Sequence, residues 1–323
     1  MARPFRIGTY NVENLFDRFD DPYSVGDDTY GRFNTKPKSR AHAYDVAERI
    51  RENGVGTRSI DIVALQEIEN FGALLDFVQG SVGPDYGPKT GVVSQPSNDP
   101  RGIDLALICT DRFRIGRVIS HRFDKFRRED GRLYQFGRDC LQIELVDETR
   151  ENLVLTAFVC HLKSKYTGIN EFKDPEGYEK AQELNTIKRK AEATKVVEIV
   201  SRALDPETER FVILGDLNDT ADSAALAPLT APDNVLGLTN TAELIEQDDP
   251  APHADHKRPR DTHCWNRWLP DGTRTEVWSQ IDHILVSKAL WALRTGAADV
   301  VNSPKDQGSD HFLSWAEFEM PDF

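Results

Sequence analysis

Cysteine is scarce in this chain of 323 residues: there are four, and none forms a CxxC pair. Cys109, Cys140, Cys160 and Cys264 are scattered, three of them inside apolar runs. That pattern argues against a disulfide framework or a zinc finger and for buried free thiols. Long hydrophobic runs are missing too, since none approaches the roughly 18 apolar residues of a membrane span. The opening "MARPFRIGTYNVENLF" enters a strand pattern without the apolar stretch and small-residue cleavage site of a secretory signal. A cytoplasmic protein without a membrane partner is expected, and no obligate protein partner is evident. Repeats at solenoid spacing and low-complexity linkers are also absent. Positive charge is in deficit, with 40 Lys and Arg against 54 Asp and Glu and a net charge of -14. Such a balance speaks against nucleic acid, whose binding draws on phosphate neutralisation. Local distribution governs the field in a cleft, however, and residues 112–138 hold nine basic against three acidic side chains.

What is abundant is short aliphatic and β-branched runs bounded by Gly, Asp and Asn. "FRIGTYNV", "DIVALQEI", "IDLALICT", "CLQIELV", "LVLTAFVCHL", "FVILGDL", "QIDHILVS" and "FLSWAEFE" all have strand lengths. Helical spacing predicts helices at about 40–52, 71–79 and 177–204. Helices interspersed among strands suggest layered α/β sheets. The polar stretches 20–40 and 245–262 are expected to be long loops between strands, so residues 1–323 are expected to form a single domain.

The strand ends carry the chemistry. Asn11 and Glu13 follow "IGTY", Glu67 follows "IVALQ", and His161 follows "TAFVC". Asp216 and Asn218 follow "VILG", Asp282 lies in "SQIDHILVS", and Asp310 with His311 precedes "FLSW". A buried strand ending in a carboxylate or amide is costly unless the group is paired or binds a metal. This set suits metal-assisted attack of water on a phosphate ester. The oxygen ligands Glu67, Asp310 and Asn11 favour Mg2+, with Mn2+ as a substitute, over zinc. Asp216 can orient or deprotonate water, Asn218 can donate to a nonbridging oxygen, and two histidines can contact phosphate or pass protons.

Six blocks in order, "TYNVENLF", "LQEIEN", "HLKSK", "GDLND", "IDHILVS" and "SDH", resemble the endonuclease/exonuclease/phosphatase superfamily. That group includes pancreatic deoxyribonuclease, abasic-site endonucleases, neutral sphingomyelinases and inositol polyphosphate phosphatases. The resemblance runs from residue 5 to about 318 and is strongest to bacterial nuclease-like members. It implies an α/β fold, a four-layer α-β-β-α sandwich of two face-to-face mixed or antiparallel sheets flanked by helices. It also implies that Glu67 is the principal metal ligand, assisted by Asn11 and Asp310, with Glu13 standing where some members have an Asp near the metal. Asp216 would activate water beside the phosphate-binding Asn218, and His311, oriented by Asp282, would be the catalytic imidazole. His161 matches a second catalytic histidine of the deoxyribonuclease and sphingomyelinase branches, where abasic-site enzymes carry tyrosine.

Other residues admit two readings. Asp104 either orients His161 or is an ordinary strand-edge carboxylate. Arg101, Lys163 and Lys165 either contact substrate phosphate or face solvent. Trp265 and Arg267 belong to a substrate loop or, for Trp265, to the core. His283 points away from Asp282 by strand parity, Glu69 is expected to be structural, and His253, His256 and His263 to be solvated loop residues. The leading expectation is a Mg2+-dependent phosphodiesterase acting on DNA or RNA. The alternative is the same chemistry on a small phosphoester, such as an inositol phosphate, a nucleotide-derived metabolite or a phospholipid head group. A catalytically silent binding scaffold ranks last, because every matched position is filled.

Overall fold

The computed structural model describes residues 3–17, 38–52, 59–86, 91–149, 151–246, 259–269, 271–301 and 308–320. Most of the two polar stretches, with His253 and His256, lies outside them. The strands are β1 (Phe5–Leu15), β2 (Ile62–Ile68), β3 (Val92–Gln95), β4 (Asp104–Cys109), β5 (Phe113–Ser120), β6 (Lys125–Arg127), β7 (Leu133–Gln135) and β8 (Cys140–Asp147). They continue as β9 (Leu153–His161), β10 (Phe211–Asp216), β11 (Thr239–Asn240), β12 (His263–Trp268), β13 (Arg274–Ser279), β14 (Asp282–Val286), β15 (Arg294–Val300) and β16 (Ser314–Phe318). The helices are α1 (Arg40–Glu52), α2 (Phe71–Phe77), α3 (Pro175–Ala203), α4 (Ala227–Thr230) and α5 (Lys288–Trp291). No described helix is long and apolar enough to cross a membrane.

Two six-stranded sheets form the frame, ordered β15-β16-β1-β2-β4-β3 and β11-β14-β10-β9-β8-β5. β1 runs parallel to β2 and β9 parallel to β10, and the other pairings are antiparallel. Strand parity explains the layering. Ile62 and Ala64 of β2 enter the core between the sheets with Leu155, Ala157, Val212, Leu214 and Ile284. Their neighbours Val63 and Leu65 point outward onto Val46 and Ile50 of α1 and Leu74 of α2. On the second sheet Phe158, Phe211 and Ile213 point outward onto Val196, Ile199 and Val200 of α3. The helices start where local chemistry dictates. Asn70 caps α2 by accepting from Ala73 N, and Asp174 caps α3 by accepting from Gly177 N, with Pro175 in the first turn. All four cysteines are free and buried.

The sequence expectation locates eight strands and overlooks β3, β5, β6, β7, β11, β12, β13 and β15. Those eight are edge strands of the two sheets or members of the two-stranded ribbons β6-β7 and β12-β13. Such strands carry more polar residues, because one face or edge meets water, and so lack the continuous apolar signal.

One glycine is decisive for the site. Gly215 has φ of 138°, and a Cβ there would lie 1.9 Å from the carbonyl oxygen of Cys160 on the neighbouring strand. Only glycine lets β9 and β10 close up immediately before Asp216. Gly215→Ala is expected to destabilise the fold by more than about 3 kcal/mol, read as a lower urea midpoint; an unchanged midpoint would refute the close approach.

Candidate active site

Register brings the strand-end residues into one row. In the second sheet Asp216 pairs with His161 on β9 and with Asp282 on β14, so three side chains share one face at one sheet edge. That face is the inner one, since Val159, Leu214 and Ile284, two residues away on each strand, enter the inter-sheet core. Asn11 has the inward parity of Ile7 in the facing sheet and reaches across, its Nδ2 donating to Asp216 Oδ2 at 3.1 Å. Glu67 has the outward parity of Val63 and Leu65, yet belongs to the site. A bulge solves this: the register shifts between Gln66 and Ile68, and Glu67 adopts φ of 67°. Among the described residues four non-glycines have positive φ: Glu13, Asn14, Glu67 and Asn218. All four lie at this mouth, each at a cost of order 1 kcal/mol or more.

His311 and Asp282 form the centre. His311 Nδ1 lies 2.8 Å from Asp282 Oδ2, while its Nε2 faces Asp216 Oδ2 at 3.9 Å and Asp310 Oδ1 at 3.8 Å. Burial alone would lower the His311 pKa, but Asp282, with Asp216 and Asp310 behind it, holds it well above the ordinary value. His161 behaves oppositely: burial first, then the charges of Arg138 and Arg101, push its pKa well down, so it is neutral. Its Nε2 stands 3.4 Å from Asp216 Oδ2. Burial and the adjacent Asp282 push Asp216 up to about 7, against the opposing pull of His311. A carboxyl of that pKa can hold or release a proton near neutral pH.

The second cluster is anionic. Glu13 accepts from Asp310 N at 3.1 Å, and Glu67 accepts from Asn14 N at 3.1 Å while facing Arg101 at 3.6 Å. Burial, and then Asp310, push Glu13 up to about 7. Lys38 is lowered by its burial and supported by Glu13, Asp310 and Glu67, and it donates to the Gly308 carbonyl. Three carboxylates against one ammonium and the shared Arg101 make an oxygen-rich, negative site, which fits a hard divalent cation. Asn11 Oδ1 accepts from Glu13 N at 3.0 Å and keeps a second lone pair for such an ion.

Several expectations are revised. Asp104 does not orient His161: its Oδ1 accepts from Ser97 N at 2.7 Å, and His161 Nδ1 is buried without a protein partner. Lys165 is held in an ion pair with Asp219, which Arg189 also grips, so it braces the loop instead of standing free for a substrate phosphate. Arg101 bridges Glu67 and Asp99 instead of standing free. Lys163 remains beside the mouth, lowered to about 8 by burial and the nearby Arg138 and Lys188. The Asn218 amide donates to Leu162 O while its backbone N–H donates to Asp216 Oδ1, so it braces Asp216. His283 is turned away, contacting Asn240 and the Asp219 carbonyl. Glu69 accepts from Asp17 N. Two residues were overlooked. His263 is not a solvated loop residue: its ring lies 4.5 Å from that of His311, and its Nε2 is 3.7 Å from Asp310 Oδ2. Lys38 arrives from a polar segment with no periodic signal, and nothing in the sequence could have placed it here.

The fold and this row of residues define a class, and the chain belongs to the endonuclease/exonuclease/phosphatase family, whose sequence profile matches residues 8–311. Members of that family are divalent-metal-dependent phosphoester hydrolases. No curated protein matches the chain significantly. Solved structures with the same fold include the human nocturnin catalytic domain with bound sulfate, at 15% identity and a TM-score of 0.56 over 98% of this chain and 95% of that one. TDP2 of D. rerio in complex with a single-strand DNA product is 13% identical, with a TM-score of 0.55 over 99% and 100%. A mannosyl-6-phosphatase of Bacteroides thetaiotaomicron is 15% identical, with a TM-score of 0.53 over 98% and 100%.

The raised Glu13 pKa has a sign that can be tested. A folded-state pKa above the ordinary 4.5 means that the contribution of Glu13 to stability is fully present below about pH 4.5. It is lost as pH rises to about 7. Glu13→Gln keeps the acceptor for Asp310 N and is expected to stabilise the chelator-treated protein at pH 8 by on the order of 1 kcal/mol, and to change little at pH 4.5. Melting midpoints at the two pH values provide the check, and a loss of stability at pH 8 would contradict the assignment.

Proposed function

We propose that this protein is a Mg2+-dependent phosphodiesterase that hydrolyses DNA or RNA. Glu67, Asp310, Glu13 and Asn11 would hold the cation, which when bound polarises a phosphoryl oxygen and offsets charge in the transition state. The chain's own groups supply the rest. His311, kept protonated by Asp282, presents Nε2–H to a phosphate oxygen and stabilises its developing charge. Asp216, at about 7 and braced by Asn11 and Asn218, orients the attacking water and accepts its proton. Neutral His161, 3.4 Å from Asp216, passes that proton on or donates to phosphate.

The fold does not choose the substrate, because structures similar to this one include one with a DNA product and one of a sugar phosphatase. The observation that carries the choice is a pair of exposed aromatics on the segments lining the mouth. Tyr166, three residues after Lys163, is 81% exposed, and Trp265, two residues after His263 and on the same strand face, is 43% exposed. Arg267 pins the two segments together through Glu171 at 3.1 Å. Stacking platforms beside a lysine suit single-stranded nucleic acid.

Purified protein with Mg2+ or Mn2+ is expected to cleave an oligonucleotide. Glu67→Ala and His311→Ala should each lower kcat by roughly a hundredfold or more. Trp265→Ala should raise KM for the oligonucleotide by about tenfold and leave bis(p-nitrophenyl) phosphate unaffected. Faster turnover of a phosphomonoester than of any nucleic acid would decide for a small phosphoester instead.

A further inference from the structure

The imidazole of His263 plays no part in that chemistry, yet the backbone holds it against the centre of the site. Cys264 N donates to Asp310 O at 3.0 Å and Phe312 N donates to Thr262 O at 2.7 Å, so His263 pairs directly with His311. Two neighbouring imidazoles, their ring centres 4.5 Å apart, thus both approach one carboxylate. His263 Nε2 lies 3.7 Å from Asp310 Oδ2, and His311 Nε2 lies 3.8 Å from Asp310 Oδ1.

We propose that His263 Nε2, the Asp310 carboxylate and His311 Nε2 form a site for a borderline transition-metal ion of the Zn2+ class, and that its occupancy silences hydrolysis. Only the second half rests on the function proposed above. Around a tetrahedral zinc with bonds near 2.0–2.1 Å, ligand atoms stand about 3.4 Å apart. One ligand atom from each of the three residues lies within 4.8 Å of the other two, so binding has to draw them together by up to about 1.4 Å. Asp282 supplies the outer support such a site requires: its bond to His311 Nδ1 fixes the ring and leaves Nε2 pointing at Asp310. Access exists, because the Asp310 side chain is 41% exposed, which leaves a coordination position open to water. The trio Asp216, Asp282 and His311 is also compact, but all three side chains are buried and Asp282 is engaged with His311 Nδ1.

Two nitrogens and one carboxylate form a softer donor set than the all-oxygen cluster of Glu13, Glu67 and Asn11, so the two sites select different ions while sharing Asp310. Zinc on His311 Nε2 would displace the proton of that nitrogen to solvent while Nδ1–H stays on Asp282, and so would remove the N–H that would meet phosphate. It also draws Asp310 away from the oxygen cluster, so hydrolysis stops for two reasons.

The test uses the full chain, stripped with chelator, and reads binding separately from activity. Calorimetric titration with Zn2+ should give one equivalent, and Co2+ should give visible ligand-field bands without thiolate charge transfer. His263→Gln and Asp310→Asn should each weaken zinc binding by on the order of tenfold or more. With saturating Mg2+, zinc should inhibit the wild type, and His263→Gln should need correspondingly more zinc, each rate being scaled to that variant's own zinc-free value. Unchanged zinc affinity in both variants, or thiolate bands that mark a cysteine site, would overturn the proposal. Stoichiometric zinc without inhibition would overturn its silencing half. If His263→Gln failed to fold, the wild-type cobalt spectrum would decide alone. A protein that binds zinc at His263 but hydrolyses no phosphoester would retain this site and lose the proposed function.

Discussion

Asp216 and Asp282 sit side by side on adjacent strands, both buried, and two buried carboxylates at that spacing cannot both be ionised without a cation between them. The protonated ring of His311 is that cation, hydrogen-bonded to one carboxylate and facing the other. Everything around the mouth follows from that arrangement. Asn11 reaches from the facing sheet to the oxygen of Asp216 that His161 also faces. Asn218 N–H takes the other oxygen. Ser309 links the His311 segment to β1, accepting from His311 N and donating to Asn11 O. The two sheets are joined at this edge by polar contacts, whereas deeper in they are joined by apolar packing.

Regular strands could not have built the other half. A strict alternation aims Glu67 at the helices, so the chain spends a bulge and a left-handed residue to turn it inward. The same device recurs at Glu13 and Asn14, where the β1-β2 register shifts. Strain at these positions stands near carboxylates that repel one another, so the metal-free mouth is destabilised twice over. A divalent cation would relieve the repulsion without altering the backbone, and affinity for the ion is therefore coupled to stability of the fold.

How much of this was legible depended on burial. Strands covered on both faces, such as β2, β9 and β10, show as continuous apolar runs, and their terminal Glu67, His161 and Asp216 stand out against them. The ribbon strand β12 has no such signal, so His263 looked like one of several loop histidines. Its pairing with His311 is a tertiary event between segments far apart in the chain. Asp104 misled for the opposite reason: its place at the head of an apolar strand suggested a partner for His161, but a local bond to Ser97 captures it. Lys38 belongs to a segment without periodicity, and only the folded chain brings it to Glu13.

The basic run 112–138 suggested a polyanion surface, but most of its arginines are engaged within the fold. Arg112 binds Asp61, Arg117 binds Glu144, Arg128 binds Asp130, and Arg138 binds Asp99, while Arg114, Arg122 and Arg127 donate to backbone carbonyls. A cation already paired contributes little further attraction for phosphate, since a new contact must be exchanged for an existing one. The positive charge that acts on the mouth comes from four separate segments, through Lys38, Arg101, Arg138 and Lys163. Three of the four lie outside the basic run, which ends at Arg138, and the chain as a whole carries a net charge of -14. The field at the site is thus a property of the fold, which gathers a few cations beside the buried carboxylates and imidazoles of a chain that is acidic overall.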